Sequence, residues 1–101
     1  MEMQVKWENR CAEICLKGEL DHHAAKDIMV RLQQQMDLLL PLQLILDFAA
    51  VSFMDSSGIA VVMRTARRMK ASGGAVKLRH VPPQPRKVFD AAGISRVVEM
   101  E

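Results

Sequence analysis

Tyrosine is missing from this chain, and tryptophan occurs once, at Trp7, beside three phenylalanines. So few aromatic rings leave little to stack on nucleobases, and 14 basic against 12 acidic residues, a net charge of +2, build no strong field for a phosphate backbone. Direct nucleic-acid binding is therefore not expected. No apolar run approaches the ~20 residues of a membrane span, and Met1 to Trp7 lacks the basic-then-apolar order of a signal peptide. Membrane insertion is not expected, and a cytoplasmic location is the default. Cysteine is scarce too. Cys11 and Cys15 fall in a strand-like segment that would hold them ~13 Å apart at ~3.3 Å per residue, too far for a disulfide. Reduced thiols fit a reducing compartment, and a metal site there would need ligands brought from elsewhere. There is no Gly-x-x-x-x-Gly-Lys-Ser/Thr loop and no Gly-x-Ser-x-Gly elbow, so neither a cofactor nor an enzymatic activity is expected.

Half of the 101 residues are apolar and about a quarter are charged, the balance of an ordinary globular chain, and the length suits one domain spanning 1–101. Met3, Val5 and Trp7 alternate with polar residues, Asn9-Arg10 offers a turn, and Ala12, Ile14 and Leu16 resume the alternation, which predicts a hairpin ended by Gly18. Asp21 can cap a helix whose apolar stripe is Ala25, Ile28, Met29, Leu32, Met36 and Leu39, closing by Pro41. Leu42 to Phe48 is nearly continuous in apolar residues, as in a central strand buried on both faces. A second helix is expected to about Ala71, stopped by Ser72-Gly73-Gly74. A strand over Ala75 to Val81, a short helix near Arg86 to Ala92 and a last strand at Val97 to Met100 complete the order. Strands alternating with helices predict an α/β fold: a mixed, mainly parallel sheet with an antiparallel edge hairpin and helices packed on it.

The segment that carries chemistry is Met54-Asp55-Ser56-Ser57-Gly58, at the strand-to-helix turn before the second helix. Asp55 reads as its N-cap, with Met54 and Ile59 placed for a hydrophobic staple and Ser57 at the second helical position. A phosphate on Ser57 would meet unpaired amides and the positive end of the helix dipole. Gly58, a poor helix former, would let a partner approach closely, and Met54 could offer an adaptable exposed contact. Arg64, Arg67 and Arg68 share a face of the same helix; most such stretches are only solvated, but proximity to Ser57 favours an acidic partner surface. His22 and His23 point in different directions and form no ready chelate.

Four landmarks in this order carry a family resemblance: Gly18-Glu19-Leu20-Asp21-His22-His23, Leu44-Ile45-Leu46-Asp47-Phe48, Met54-Asp55-Ser56-Ser57-Gly58 and Phe89-Asp90-Ala91-Ala92-Gly93-Ile94. Over nearly its whole length the chain resembles the STAS family, specifically the bacterial anti-sigma factor antagonists. The resemblance implies that Ser57, the second serine of the tetrapeptide, is phosphorylated by an anti-sigma factor that is itself a serine kinase. It implies that the unphosphorylated form binds that factor and releases the sigma factor, that phosphorylation abolishes binding, and that a serine phosphatase restores it. Asp21 maps onto the family's strand-end aspartate near the same surface, which gives Asp21, Asp55, Ser56, Ser57, Gly58, Arg64 and Arg67 as candidate partner-binding residues. The family's C-terminal helix is absent here, which leaves the cover of one side of the sheet open. Two other readings compete: a constitutive STAS-type subunit of a bacterial lipid-transport ATPase complex, and a nucleotide-binding module using the free amides of the second helix.

Overall fold

The computed structural model describes all residues, Met1–Glu101. Strands β1 (Glu2–Glu8) and β2 (Cys11–Leu20) form the expected antiparallel hairpin. Asn9 and Arg10 take φ of 50° and 61°, the left-handed pair that a tight two-residue hairpin turn requires. Helix α1 (His22–Leu39) follows, then β3 (Gln43–Met54), α2 (Ser57–Ala71), β4 (Ala75–Arg79), α3 (Pro83–Ala91), a 3₁₀ turn at Ile94–Arg96 and a short β5 (Glu99–Met100). The sheet runs in the order β1-β2-β3-β4-β5, parallel at every pair after the hairpin.

Gly18 does not end β2. The strand continues to Leu20 because β3 bulges: its pairing with β2 slips between Cys15 and Lys17 and again between Gly18 and Glu19. Gly18 sits at φ 118°, a conformation that side chains disfavour, so glycine accommodates the irregularity instead of breaking the strand. In the earlier slip, opposite Cys15 to Lys17, the Ala49 amide donates to Asp47 Oδ1 at 2.9 Å. Strand β3 consequently runs on to Met54, well past Phe48, and delivers the serine turn at the far pole of the sheet.

Each right-handed crossover steps to the next strand in the same direction, which puts α1, α2 and α3 on one face. The core lies between that helix layer and Ala12, Ile14, Leu16, Leu44, Leu46, Phe48, Val76 and Leu78, all buried, with Phe48 and Phe89 meeting edge to face at 5.4 Å. The opposite face carries no helix, which corrects the expectation of a central strand covered on both sides. It is lined by charged side chains that pair laterally: Arg79 with Glu101 (3.0 Å) and Glu13 (3.4 Å), Lys77 with Glu101 (3.8 Å), and His80 with Asp47 (3.1 Å). Ile45 is buried on this face between its register partners Glu13 and Lys77. Cys11 and Cys15 are free thiols on this face; burial is the main cause that pushes the Cys15 thiol above its ordinary value, helped by Asp47 and Glu13.

Candidate functional site

The parallel strands β2 and β3 end side by side, with the Asp55 amide donating to the Leu20 carbonyl at 3.2 Å. Asp21, just beyond β2, has extended backbone, and its Oδ1 accepts from the Ala24 amide at 2.8 Å, the N-cap of α1 expected from sequence. Asp55, just beyond β3, lies one residue before Ser56, the N-cap of α2, and not at the cap itself as expected from sequence. Its Oδ1 accepts from the Ser57 amide at 2.8 Å and its Oδ2 from the His22 amide at 3.1 Å. One carboxylate thus holds the first amide of α1, 33 residues before it in sequence, and the first amide of α2. The Ser57 amide is the main reason that the Asp55 carboxyl sits below its ordinary value of 3.8; the Ser57 hydroxyl and the His22 amide act in the same direction, and partial burial opposes them.

The helix start differs by one residue from the sequence reading. Helix α2 begins at Ser57, and the flanking Ser56 has helical backbone and makes no side-chain cap bond. Ser57 is therefore the first helical residue, half-buried, while Ser56 is exposed. Met54 forms no exposed contact surface: it is fully buried, beneath Gly58. A Cβ on Gly58 would lie 2.3 Å from Met54 Sδ and 2.5 Å from its Cγ, so the glycine answers to internal packing and not to the approach of a partner. Gly58 is itself buried.

Asp21, Asp55, Ser56, Ser57 and Gly58 gather at this pole, where the chain leaves β2 and β3 for the starts of α1 and α2. Arg64 and Arg67 lie two to three turns along α2, exposed, beside a depression that Ser56, Ile59 and Met63 also line. Arg68 departs from them, since its Nη2 pairs with Asp37 Oδ1 of α1 at 2.9 Å. Sequence reasoning missed Gln84. Its side-chain amide closes a two-way clamp on Met54, accepting from the Met54 amide at 2.9 Å and donating to the Met54 carbonyl at 2.8 Å. Because β4 pairs with β3 only as far as Asp47, this clamp supplies the hydrogen bonds that a neighbouring strand would otherwise give the end of β3. The Pro82-Pro83-Gln84-Pro85 run that fixes the start of α3 was its only trace in the sequence.

A one-directional mixed sheet, a single helix layer and a serine turn between β3 and α2 define a small α/β domain with a helix-start hydroxyl at the strand-end pole. The chain belongs to the STAS domain family, whose model matches residues 2–101. It is 36% identical over 81 residues to an anti-sigma F factor antagonist of Lysinibacillus sphaericus, spanning 80% of this chain and 69% of that one. Among solved structures it is similar to the anti-sigma factor antagonist SpoIIAA in its unphosphorylated form, at 32% identity and a TM-score of 0.84, covering 99% of this chain and 88% of that one. It is also similar to the Bacillus cell fate determinant SpoIIAA in the phosphorylated form, at 32% identity and a TM-score of 0.75, covering 99% and 91%. No helix is long and apolar enough to cross a membrane.

Proposed function

We propose that this chain is a cytoplasmic anti-sigma factor antagonist, a binding protein and not an enzyme, switched by phosphorylation of Ser57. The unphosphorylated form binds an anti-sigma factor serine kinase through the pole formed by Asp21, Asp55, Ser56, Ser57 and Gly58, with Arg64 and Arg67 beside it, and so releases the sigma factor. The kinase transfers phosphate to Ser57 and dissociates, and a serine phosphatase resets the protein. The observation that carries this reading is Ser57 itself, a hydroxyl on the first residue of α2 whose amide is already bound by Asp55. The likeness to antagonist structures in both phosphorylated and unphosphorylated forms supports it.

The electrostatics of the turn favour an off state without refolding. A phosphate adds ~1.5 to 2 negative charges at pH 7. In the free protein the helix dipole tolerates that charge, although the Asp55 carboxylate already occupies the Ser57 amide and repels a second anion. In a packed interface the same charge is stripped of water. A hundredfold loss of affinity needs only ~2.7 kcal/mol, and an uncompensated buried charge costs ~3 to 5 kcal/mol. The test is to incubate the chain with anti-sigma kinases and ATP, locate any phosphate by mass spectrometry, and measure kinase affinity for Ser57→Ala and Ser57→Asp. The alanine variant should bind and resist switching off, and the aspartate variant should bind more weakly. Phosphate found only on Ser56, with normal binding by the Asp variant, would sink the assignment.

A further inference from the structure

Three shallow depressions run into one another along the helix layer. The first, about 500 Å³, lies between α1 and α2 and is bordered by Lys26, Met29, Gln33 and Arg64. The second, about 530 Å³, shares Met29 and Arg64 with it and continues along α2 past Met63 and Arg67 to Ile59 and Ser56. The third shares Ser56 and Ile59 and ends against Lys87 and Val88 of α3. Not one residue lining any of the three carries a carboxylate. That is a strong segregation for a chain with 12 acidic residues. The carboxylates of α1 that lie nearest in sequence are engaged elsewhere, Asp27 with Arg31 and Asp37 with Arg68. Lys26, Arg64, Arg67 and Lys87 take part in none of the ion pairs of the structure.

The floor of this groove is apolar and adaptable. Met29, Ile59 and Met63 are half-buried, and Arg64 reaches across to Met29, its Nη1 3.7 Å from the sulfur. From Ser57 to Arg67 the groove follows α2 for ~15 Å, about three helical turns. An apolar floor of that length between cationic walls matches an amphipathic helix whose apolar stripe faces inward and whose flanks carry Asp or Glu. We propose that the docking element of the kinase is such an acidic amphipathic helix, seated along α2 so that one end lies over Ser56 and Ser57. This rests on the reading of the chain as the antagonist of an anti-sigma kinase. It adds the chemistry of the partner's contact and separates two jobs: α2 recognises and the turn is modified. The cationic walls steer the acidic helix in, and the methionine floor holds it.

The test uses the full chain and the anti-sigma kinase. Steady-state phosphorylation of Arg64→Glu/Arg67→Glu is compared with Lys17→Glu/Lys70→Glu, which makes the same change in net charge outside the groove. The groove variant should raise KM at least tenfold with kcat kept within about twofold, and should flatten the salt dependence of binding; the control should stay near the unmodified chain. Circular dichroism checks that both variants are folded. A photo-crosslinking residue at Met63 then identifies the occupant by peptide mapping. Capture of an acidic amphipathic segment of the kinase supports the proposal. Phosphate on Ser57 with an unchanged KM in the groove variant, or a crosslink to a neutral or basic segment or to a second copy of this chain, overturns it and leaves the switch intact. No phosphate and no binding with any anti-sigma kinase overturns both.

Discussion

Replacing Gly58 by alanine sets two opposing effects against each other in a place where the structure decides between them. Gly58 is helical and does not need a left-handed backbone, so the substitution introduces no strain in φ. Alanine is the better helix former by up to ~1 kcal/mol, less in a first turn, and propensity alone would stabilise the variant. The added methyl, however, lies 2.3 Å from Met54 Sδ and 2.5 Å from Cγ, and Met54 is 0% exposed. The thioether must move inside a packed core, and overpacking of this kind costs ~1 to 3 kcal/mol. The net expectation is a loss of ~1 to 2 kcal/mol, a fall in Tm of about 4 to 16 °C at ~4 to 8 °C per kcal/mol for a domain of this size. Thermal and urea unfolding followed by circular dichroism measure it. Removing the obstruction should restore the propensity gain, so Gly58→Ala combined with Met54→Ala should be less destabilised than the sum of the two single changes, by at least ~0.5 kcal/mol. A Gly58→Ala chain as stable as the original, yet unable to bind the proposed kinase partner, would refute the packing account and return the glycine to partner access.

Gln84→Ala frees both backbone groups of Met54 and should cost ~1 to 3 kcal/mol, with faster hydrogen exchange concentrated at Met54; protection unchanged there would dismiss the clamp. The Asp55 carboxyl is held below its ordinary value, so its bonds contribute fully above 3.8 and are lost as pH falls through the lower folded value. In an acid titration followed by NMR, the Ser57 and His22 amides should therefore shift together with one midpoint below 3.8, and Asp55→Asn should remove that step. Separate midpoints, or one above 3.8, would show that a single carboxylate does not tie the two helix starts.

What was legible in the sequence was local. The hairpin turn at Asn9-Arg10, the Asp21 cap and the apolar stripe of α1 are each set by neighbours within a few residues, and each stands where periodicity and cap chemistry put it. The serine turn was legible for the same reason, to within one residue. What escaped depends on contacts distant in the chain. Gly18 looked like a strand breaker because the bulge it accommodates is made by β3, some thirty residues later. Met54 looked exposed and Gly58 looked like a door for a partner because nothing local says that one lies under the other. The charged stripe on α2 read as one face, until Asp37 drew Arg68 away and left Arg64 and Arg67 on the groove. The run from Leu42 suggested cover on both sides, whereas the topology puts every helix on one face and leaves charged side chains around Ile45 on the other.

The double grip of Asp55 has a consequence for the speed of the proposed switch. By holding the first amides of two helices at once, it joins into one surface two segments that the chain keeps far apart. A partner that lands on a surface already tied in this way has less to order, so less binding energy is spent on loop entropy. Modification of a pre-set surface also needs no slow rearrangement before it is felt. Under the proposed phosphorylation switch, the duration of each state would be set by the partner enzymes that add and remove the phosphate, and this small domain would serve as a passive memory with no clock of its own.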